Sequence, residues 1–145
     1  MNTPPFNRTK CACNGCKACC KRQPGPLAPD DFERIAAFLG ETPEEAEKHF
    51  WASPGALIRE GNDIKRVGTV TPKRIRGRCV FLDDNDNCKI HPVAPFGCAY
   101  FDTHQSLAQA QERSTWLVLQ QMASEAYRKL RDRLPYATSY KPQRY

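Results

Sequence analysis

Apolar residues recur at helical spacing in the first third of the chain. Between residues 29 and 40 they lie three or four positions apart and stop at Gly40, which predicts an amphipathic helix that begins near Pro29. Residues 42–45, Thr-Pro-Glu-Glu, form a capping box with proline at the first helical position. They predict a second helix that ends before Ser53-Pro54-Gly55.

The pattern changes after the second predicted helix. Residues 58–90 alternate short runs rich in β-branched residues with turn-forming residues, which predicts a small, partly exposed sheet of short strands. Within them the acidic run at residues 83–87 predicts a solvated hairpin turn. Residues 106–134 contain neither Gly nor Pro and carry a broad apolar face, so they predict one long helix. Residues 135–145 have no apolar periodicity and predict an extended tail.

Together these elements indicate a small α+β domain, mostly helical, with irregular cysteine-rich loops. All residues from 1 to 145 fit a single domain, whose structured core we expect over residues 11–134. The apolar interior is thin, because Leu, Ile, Val and Phe contribute only 26 of 145 residues. A metal would supplement such an interior, since a site that forms only in the folded chain adds its binding free energy to folding. We therefore expect the helices and the small sheet to surround a metal centre.

The chain contains eight cysteines, and five of them fall within ten residues. All eight are candidate metal ligands: Cys11, Cys13, Cys16, Cys19, Cys20, Cys79, Cys88 and Cys98. Two residues between cysteines let a tight turn direct both sulfurs at one metal about 2.3 Å away, and the run from Cys13 to Cys19 repeats that spacing. Bacterial ferredoxins hold three corners of a four-iron cluster with the same run. A zinc site more often takes one such pair from each of two places, and this chain has no second pair, so the spacing favours iron–sulfur.

The division of the eight sulfurs is open. Adjacent side chains diverge, so Cys19 and Cys20 would serve different metals or bridge two. Two four-ligand sites or one larger cluster fit the count, and we expect one or two iron–sulfur clusters of the 4Fe-4S type, with Zn²⁺ as the alternative cofactor. His91 and His104 lie close in sequence to ligand cysteines and are additional candidate ligands. The alternatives are an outer hydrogen bond or, for His104, the first turn of the long helix.

The formal charge of +6 would suit a nucleic-acid partner, but it counts every cysteine as neutral. Four thiolates around Zn²⁺ or a four-iron core leave about −2 per site, so two sites would lower the net charge to about +2. Nucleic-acid binding through the basic runs at residues 73–78 and 128–133 is therefore the weaker expectation.

The sequence also limits the compartment. It contains no apolar run of about 18 residues for a membrane span, and its first ten residues lack the apolar stretch of a secretory signal. Dense cysteines in a reducing compartment are more often metal ligands than disulfides. We expect a cytoplasmic protein with no membrane partner.

Four short motifs span most of residues 13–101. They are Cys13-x2-Cys16-x2-Cys19-Cys20, Cys79-Val80-Phe81-Leu82, Cys88-Lys89-Ile90 and Pro95-Phe96-Gly97-Cys98-Ala99-Tyr100-Phe101. In these residues the chain resembles the CxxCxxCC family of small bacterial proteins, described as a zinc- or iron-chelating domain. The family usually has a glycine after the second cysteine and Arg-Pro and Cys-Arg pairs near the last, where this chain has Lys17, Ala94-Pro95 and Cys98-Ala99. The resemblance implies a metal site without implying an activity.

No GxGxxG, P-loop, GxSxG or HExxH motif is present, and eight cysteines suit full ligation of the metal rather than an open catalytic corner. We therefore do not expect an enzyme, although a cluster with a labile corner is a weaker alternative. We expect electron transfer, or sensing of redox state or iron supply, with a protein partner that contacts the long C-terminal helix or the tail. The alternative is a structural zinc module that binds a protein partner.

Overall fold

A computed structural model describes residues 3–9 and 24–137, and for residues 56–60 it describes the backbone only. Within these ranges the helices are α1 (Asp31–Leu39), α2 (Pro43–Glu47), α3 (Phe96–Ala99), α4 (Leu107–Ala123) and α5 (Glu125–Arg133), with a 3-10 turn at His91–Val93. The strands are β1 (Phe50–Glu60), β2 (Asp63–Pro72), β3 (Arg74–Ile75) and β4 (Arg78–Cys79), paired into two antiparallel two-stranded sheets. The predicted small α+β domain is confirmed. None of the helices in these ranges is long and apolar enough to cross a bilayer.

Local sequence signals set the ends of the first two helices. Gly40 ends α1 in the left-handed conformation, with φ of 67°, and donates its N–H to the carbonyl of Ala37 at 3.1 Å. The Thr42 hydroxyl accepts the N–H of Glu45 at 3.2 Å, and the Glu45 carboxylate accepts the N–H of Thr42 at 3.0 Å. This is the capping box that the sequence predicts, although α2 already ends at Glu47.

β1 and β2 form one long antiparallel hairpin. It starts at Phe50 rather than near residue 58, so the predicted start of the sheet is wrong. Pro54 and Gly55, expected to follow a helix, lie at a shift of register inside β1. Gly55 has φ of 72°, and a Cβ there would lie 1.8 Å from the carbonyl oxygen of Val67. The bulge therefore requires glycine, and its Pro-Gly pair concealed the strand because such pairs normally mark turns.

The prediction of one long helix over residues 106–134 is wrong, because the helix is interrupted at Ser124. This residue has φ of −98° and ψ of 110°, and its hydroxyl accepts the N–H of Tyr127 at 3.1 Å. A serine oxygen can satisfy an amide at a helix start, which favours a new N-cap over a continuous helix. α4 begins with its own capping box between Ser106 and Gln109.

The apolar side chains form two clusters. The main core cluster contains Leu27, Phe32, Ile35, Ala36, Ala46, Phe50, Val70, Phe81, Ile90, Tyr127, Leu130 and Leu134. The second cluster surrounds Phe96 of α3, whose ring centroid lies 5.2 Å from that of Trp116 in α4 and 6.4 Å from that of Phe6. The second cluster therefore fixes the short helix α3 between α4 and the N-terminal segment.

A buried polar network joins the β1–β2 hairpin to α4 and α5. The phenol oxygen of Tyr127 accepts the N–H of Val70 at 2.8 Å and lies 3.0 Å from the hydroxyl of Thr69. Gln121 donates from Nε2 to this phenol oxygen at 3.2 Å and to the carbonyl of Leu27 at 3.1 Å. Burial raises the pKa of the Tyr127 phenol, which therefore stays neutral at ordinary pH.

The start of the predicted tail lies extended along β1. Ala52 donates its N–H to the carbonyl of Pro135 at 2.8 Å, and Ala137 donates to the carbonyl of Ala52 at 2.9 Å. Residues 138–145, the remainder of the predicted tail, lie outside the described residues.

Candidate metal centre

The eight candidate ligands divide between two regions of the chain. Cys11, Cys13, Cys16, Cys19 and Cys20 lie in residues 10–23, outside the described residues. Cys79, Cys88 and Cys98 are described, and each is a half-buried thiol. The gathering of both groups around shared metals stays a prediction.

Cys79 and Cys88 lie in two adjoining short hairpins. The carbonyl of Cys79, at the end of β4, accepts the N–H of Leu82 at 3.1 Å. Leu82 pairs in turn with Cys88 across an isolated antiparallel bridge. Both cysteines pack against the main core cluster. Cys79 is therefore paired with Arg74 in the β3–β4 hairpin, and Cys88 lies in an arm of the hairpin that follows it and rests on the core.

The acidic run at residues 83–87 closes this hairpin. The Oδ1 atom of Asp83 accepts the N–H of Asn85 at 2.8 Å and the N–H of Asn87 at 2.9 Å. Arg78 donates to the carboxylate of Asp86 from the neighbouring strand. The predicted hairpin turn is confirmed, and the Asp83 carboxylate is used to hold the backbone of the turn.

Cys98 lies in α3, against the chain that follows the cysteine-rich segment. The N–H of Gly25 donates to the sulfur of Cys98 at 3.1 Å, and the N–H of Gly97 donates to the carbonyl of Pro26 at 2.9 Å. A Cβ on Gly25 would lie 2.2 Å from the carbonyl carbon of Gly97, and a Cβ on Gly97 would lie 2.2 Å from Cδ of Pro26. The two backbones meet this closely only because both residues are glycine.

The buried carboxylate of Asp31 also joins the segment after the cysteines to α3. The Oδ2 atom of Asp31 accepts the N–H of Ala28 and the N–H of Phe96, each at 2.8 Å, while Oδ1 lies 3.3 Å from a guanidinium nitrogen of Arg34. Burial raises the pKa of Asp31, against the lowering effect of these hydrogen bonds and of Arg34. Nothing in the sequence pattern marks Asp31 as a functional residue. Its partner Phe96 is 65 residues away, and no local motif signals that contact.

The N-terminal segment crosses α3 and the 3-10 turn that precedes it. Arg8 donates to the carbonyls of His91 and Pro92, both at 2.8 Å. Thr9 donates its N–H to the carbonyl of Ala99 at 2.8 Å and its hydroxyl to Asp102 at 2.6 Å. The last described residue before the cysteine-rich segment is therefore bound next to Cys98.

The histidines do not add to a ligand set in the described structure. Across residues 3–9 and 24–137, no group of three or more His, Cys, Asp or Glu side chains could hold a metal ion. His91 and His104 are exposed, and His104 precedes α4 instead of lying in its first turn. His49 directs Nε2 at the Glu41 carboxylate, 2.8 Å away. Ligation by His91 or His104 stays a prediction.

The three described thiols have chemistry that fits zinc or iron. Thiolate sulfur is a preferred ligand of both metals, and an amide N–H donated to the sulfur supports its negative charge and sets its orientation. Cys98 already has such a donor in Gly25. The Cys98 residue as a whole is half-buried.

Half-buried cysteines on a small α+β scaffold, in a chain with five more cysteines at residues 11–20, define the class as a cysteine-rich chelating domain. Within that class the chain belongs to the CxxCxxCC family. The family model, described as "Putative zinc- or iron-chelating domain", matches residues 12–122. This confirms the resemblance found in the four cysteine motifs. No curated protein and no solved structure matches the chain.

Proposed function

We propose that the protein holds a cysteine-ligated iron–sulfur cluster and uses it in electron transfer, or in sensing redox state or iron supply. The ligands would come from the eight cysteines, with Cys98 supplying the distal sulfur that the Cys13–Cys19 run lacks. The observation that carries the proposal is that both flanks of the cysteine-rich segment are hydrogen-bonded to α3, the helix that contains Cys98.

These two contacts, together with the number of residues that follow or precede them, limit how far the cysteines can lie from the residues bound to α3. Thr9 binds Ala99 on one side, and Gly25 binds Cys98 on the other. Cys11 is two residues from Thr9 and Cys20 is five residues from Gly25, and a fully extended chain spans at most about 3.6 Å per residue. Their Cα atoms thus lie within about 7 Å and about 18 Å of residues bound to α3. The connectivity supports a centre shared by this segment and Cys98.

The spacing of the cysteines favours iron–sulfur over zinc. The Cys13–Cys19 run has the ferredoxin spacing, and no second C-x2-C pair completes a zinc site. The Gly25 amide bonded to the Cys98 sulfur fits a thiolate of either metal, and in a cluster it would help to set the potential. When bound, the cluster would supply one-electron redox chemistry, while the chain would ligate it and exclude part of the solvent.

A structural zinc module is the second candidate. The observation that favours it is the packing of Cys79 and Cys88 against the main core cluster, where a metal would join the hairpin to the helices. A structural zinc site contributes its binding free energy directly to folding. In this candidate the folded surface would serve to bind a partner without electron exchange.

In either function we propose a protein partner, and the C-terminal third carries exposed large apolar side chains that could contact it. Leu107 and Leu119 of α4 are 75% and 57% exposed, and Tyr136 beside β1 is 51% exposed. Large exposed apolar side chains are typical anchors of interfaces. A reducing compartment such as the cytoplasm would keep the thiols available for metal.

Anaerobic purification with analysis of iron, sulfide and zinc tests the proposal. We expect brown protein with stoichiometric iron and sulfide, Mössbauer signals of a cluster, and visible absorption that bleaches on reduction. Cys16→Ser and Cys98→Ser should lose metal, whereas Asp132→Asn, at a side chain that is 70% exposed, serves as the control and should retain it. Colourless protein with stoichiometric zinc would replace the first candidate by the second. Wild-type protein without any metal would refute both.

A further inference from the structure

We propose that Asp31 is a positioning residue for Cys98: its buried carboxylate fixes residues 25–28 against α3, and this contact supplies the amide hydrogen bond to the Cys98 sulfur. The inference rests on the proposed function in one respect, namely that Cys98 ligates a metal. In this inference Asp31, a residue outside the cysteine motifs, orients the Cys98 ligand.

The carboxylate connects two distant parts of the chain through one oxygen atom. The Oδ2 atom accepts N–H groups from Ala28 and from Phe96, and the Asp31 residue is only 4% exposed. Phe96 is the first residue of α3, two positions before Cys98. Buried amides need a partner, and nothing else in these contacts supplies an acceptor for both. Asp31 therefore sets where α3 begins relative to residues 25–28.

The glycine contact leaves little room for this placement to change. Gly25 and Gly97 are packed so closely that neither has room for a Cβ, and the N–H of Gly97 is bonded to Pro26. The bond from Gly25 to the Cys98 sulfur lies in the same contact. If α3 shifts when Phe96 loses its acceptor, the amide no longer points at the sulfur. Removing outer hydrogen-bond partners of metal ligands typically lowers metal affinity about 10- to 100-fold.

Titration of the reduced, metal-depleted protein with Co²⁺ tests the inference, because thiolate-to-cobalt charge-transfer absorption reports sulfur ligands directly. Asp31→Ala should weaken Co²⁺ binding about 10-fold or more and, at saturation, lower the charge-transfer absorption toward that of Cys98→Ser. Asp31→Asn keeps an oxygen acceptor and should restore both readouts. Tyr127→Phe is the matched control: it removes a buried acceptor from the network with Val70 and should retain the wild-type absorption.

A double-mutant comparison separates positioning from general loss of stability. In a Cys98→Ser background, Asp31→Ala should weaken Co²⁺ binding no further, because its effect acts through that sulfur. An equal further loss would overturn the inference, and so would wild-type absorption in Asp31→Ala. If Asp31→Ala does not fold, Asp31→Glu is titrated instead, since its longer side chain cannot hold both amides in the same geometry, and the same results decide.

The Cys98→Ser and Asp31→Ala variants together separate an error in the ligand role of Cys98 from an error in the positioning role of Asp31. If Cys98→Ser binds Co²⁺ with wild-type affinity and absorption, Cys98 is not a ligand and the functional premise is wrong. If Cys98→Ser loses binding while Asp31→Ala does not, the premise stands and the role of Asp31 is refuted.

Discussion

Replacing Asp31 with asparagine removes an ionisable group from the interior and keeps an oxygen in its place. Burial is the largest influence on Asp31 and raises its pKa, outweighing the amides of Ala28 and Phe96 and the charge of Arg34. Because the folded pKa lies above the unfolded value of about 3.9, the carboxyl contributes stability that is fully present below the unfolded pKa. That contribution is lost as the pH rises through the folded pKa. The stability of wild type minus that of Asp31→Asn should therefore fall as the pH rises from acid.

The size of the effect is bounded by the single proton involved. The difference in unfolding free energy can change by at most about 1.4 kcal/mol per pH unit, and only between the unfolded and folded pKa values of Asp31. Urea unfolding of both proteins at several pH values measures this difference. Protons that bind the cysteines affect both proteins alike, so their contribution cancels in the difference. Asp132→Asn is the matched surface control, because the Asp132 side chain is 70% exposed. If the unfolding free energy of wild type minus that of Asp31→Asn increases as the pH rises, the reasoning is refuted, since the hydrogen bonds would then outweigh burial.

Three further substitutions test the fold around the site, each by urea unfolding. Tyr127→Phe should cost about 1–3 kcal/mol, because the buried N–H of Val70 loses its acceptor, and unchanged stability would contradict this network. Gly97→Ala should cost about 1–3 kcal/mol through overpacking, more than Gly40→Ala, where a Cβ meets nothing and left-handed strain alone costs about 1 kcal/mol. A smaller loss of stability in Gly97→Ala than in Gly40→Ala would exclude the close contact at Gly97. Ser124→Ala should cost about 1 kcal/mol and increase amide exchange in the first turn of α5, whereas a gain in stability would mean that α4 and α5 fuse.

Features encoded within a few residues were predictable from the sequence. The capping box of Thr42 and Glu45, the helix stop at Gly40 and the hairpin turn around Asp83 all involve partners no more than five positions apart. The cysteine run is equally local, and it identified the family. In each case the pattern and its physical cause lie in the same short stretch.

Features that depend on distant partners were not predictable. The break at Ser124 replaced the expected long helix because this serine caps α5 while Tyr127 is bonded to β2, and the absence of Gly and Pro could not reveal that competition. The bulge at Gly55 is stable only through the opposite strand. Asp31 reads as an ordinary first-turn acid of a helix, and its role depends on Phe96. The division of the cysteines is a problem of the same kind, since ligand spacing fixes which sulfurs are neighbours in sequence and not which share a metal.

The placement of Cys98 couples metal binding to completion of the fold. α3 has four residues, too few to be stable by its own hydrogen bonds, so it is held by Thr9, by Asp31 and by the packing of Phe96 on Trp116. These contacts join α3 to parts of the chain 20 to 90 positions away and therefore form only when the domain is folded. A metal that uses the Cys98 sulfur then binds the folded state preferentially and stabilises it by mass action. A remote destabilising change would lower the apparent affinity only through the folded fraction, whereas a change at α3 would alter the ligand itself.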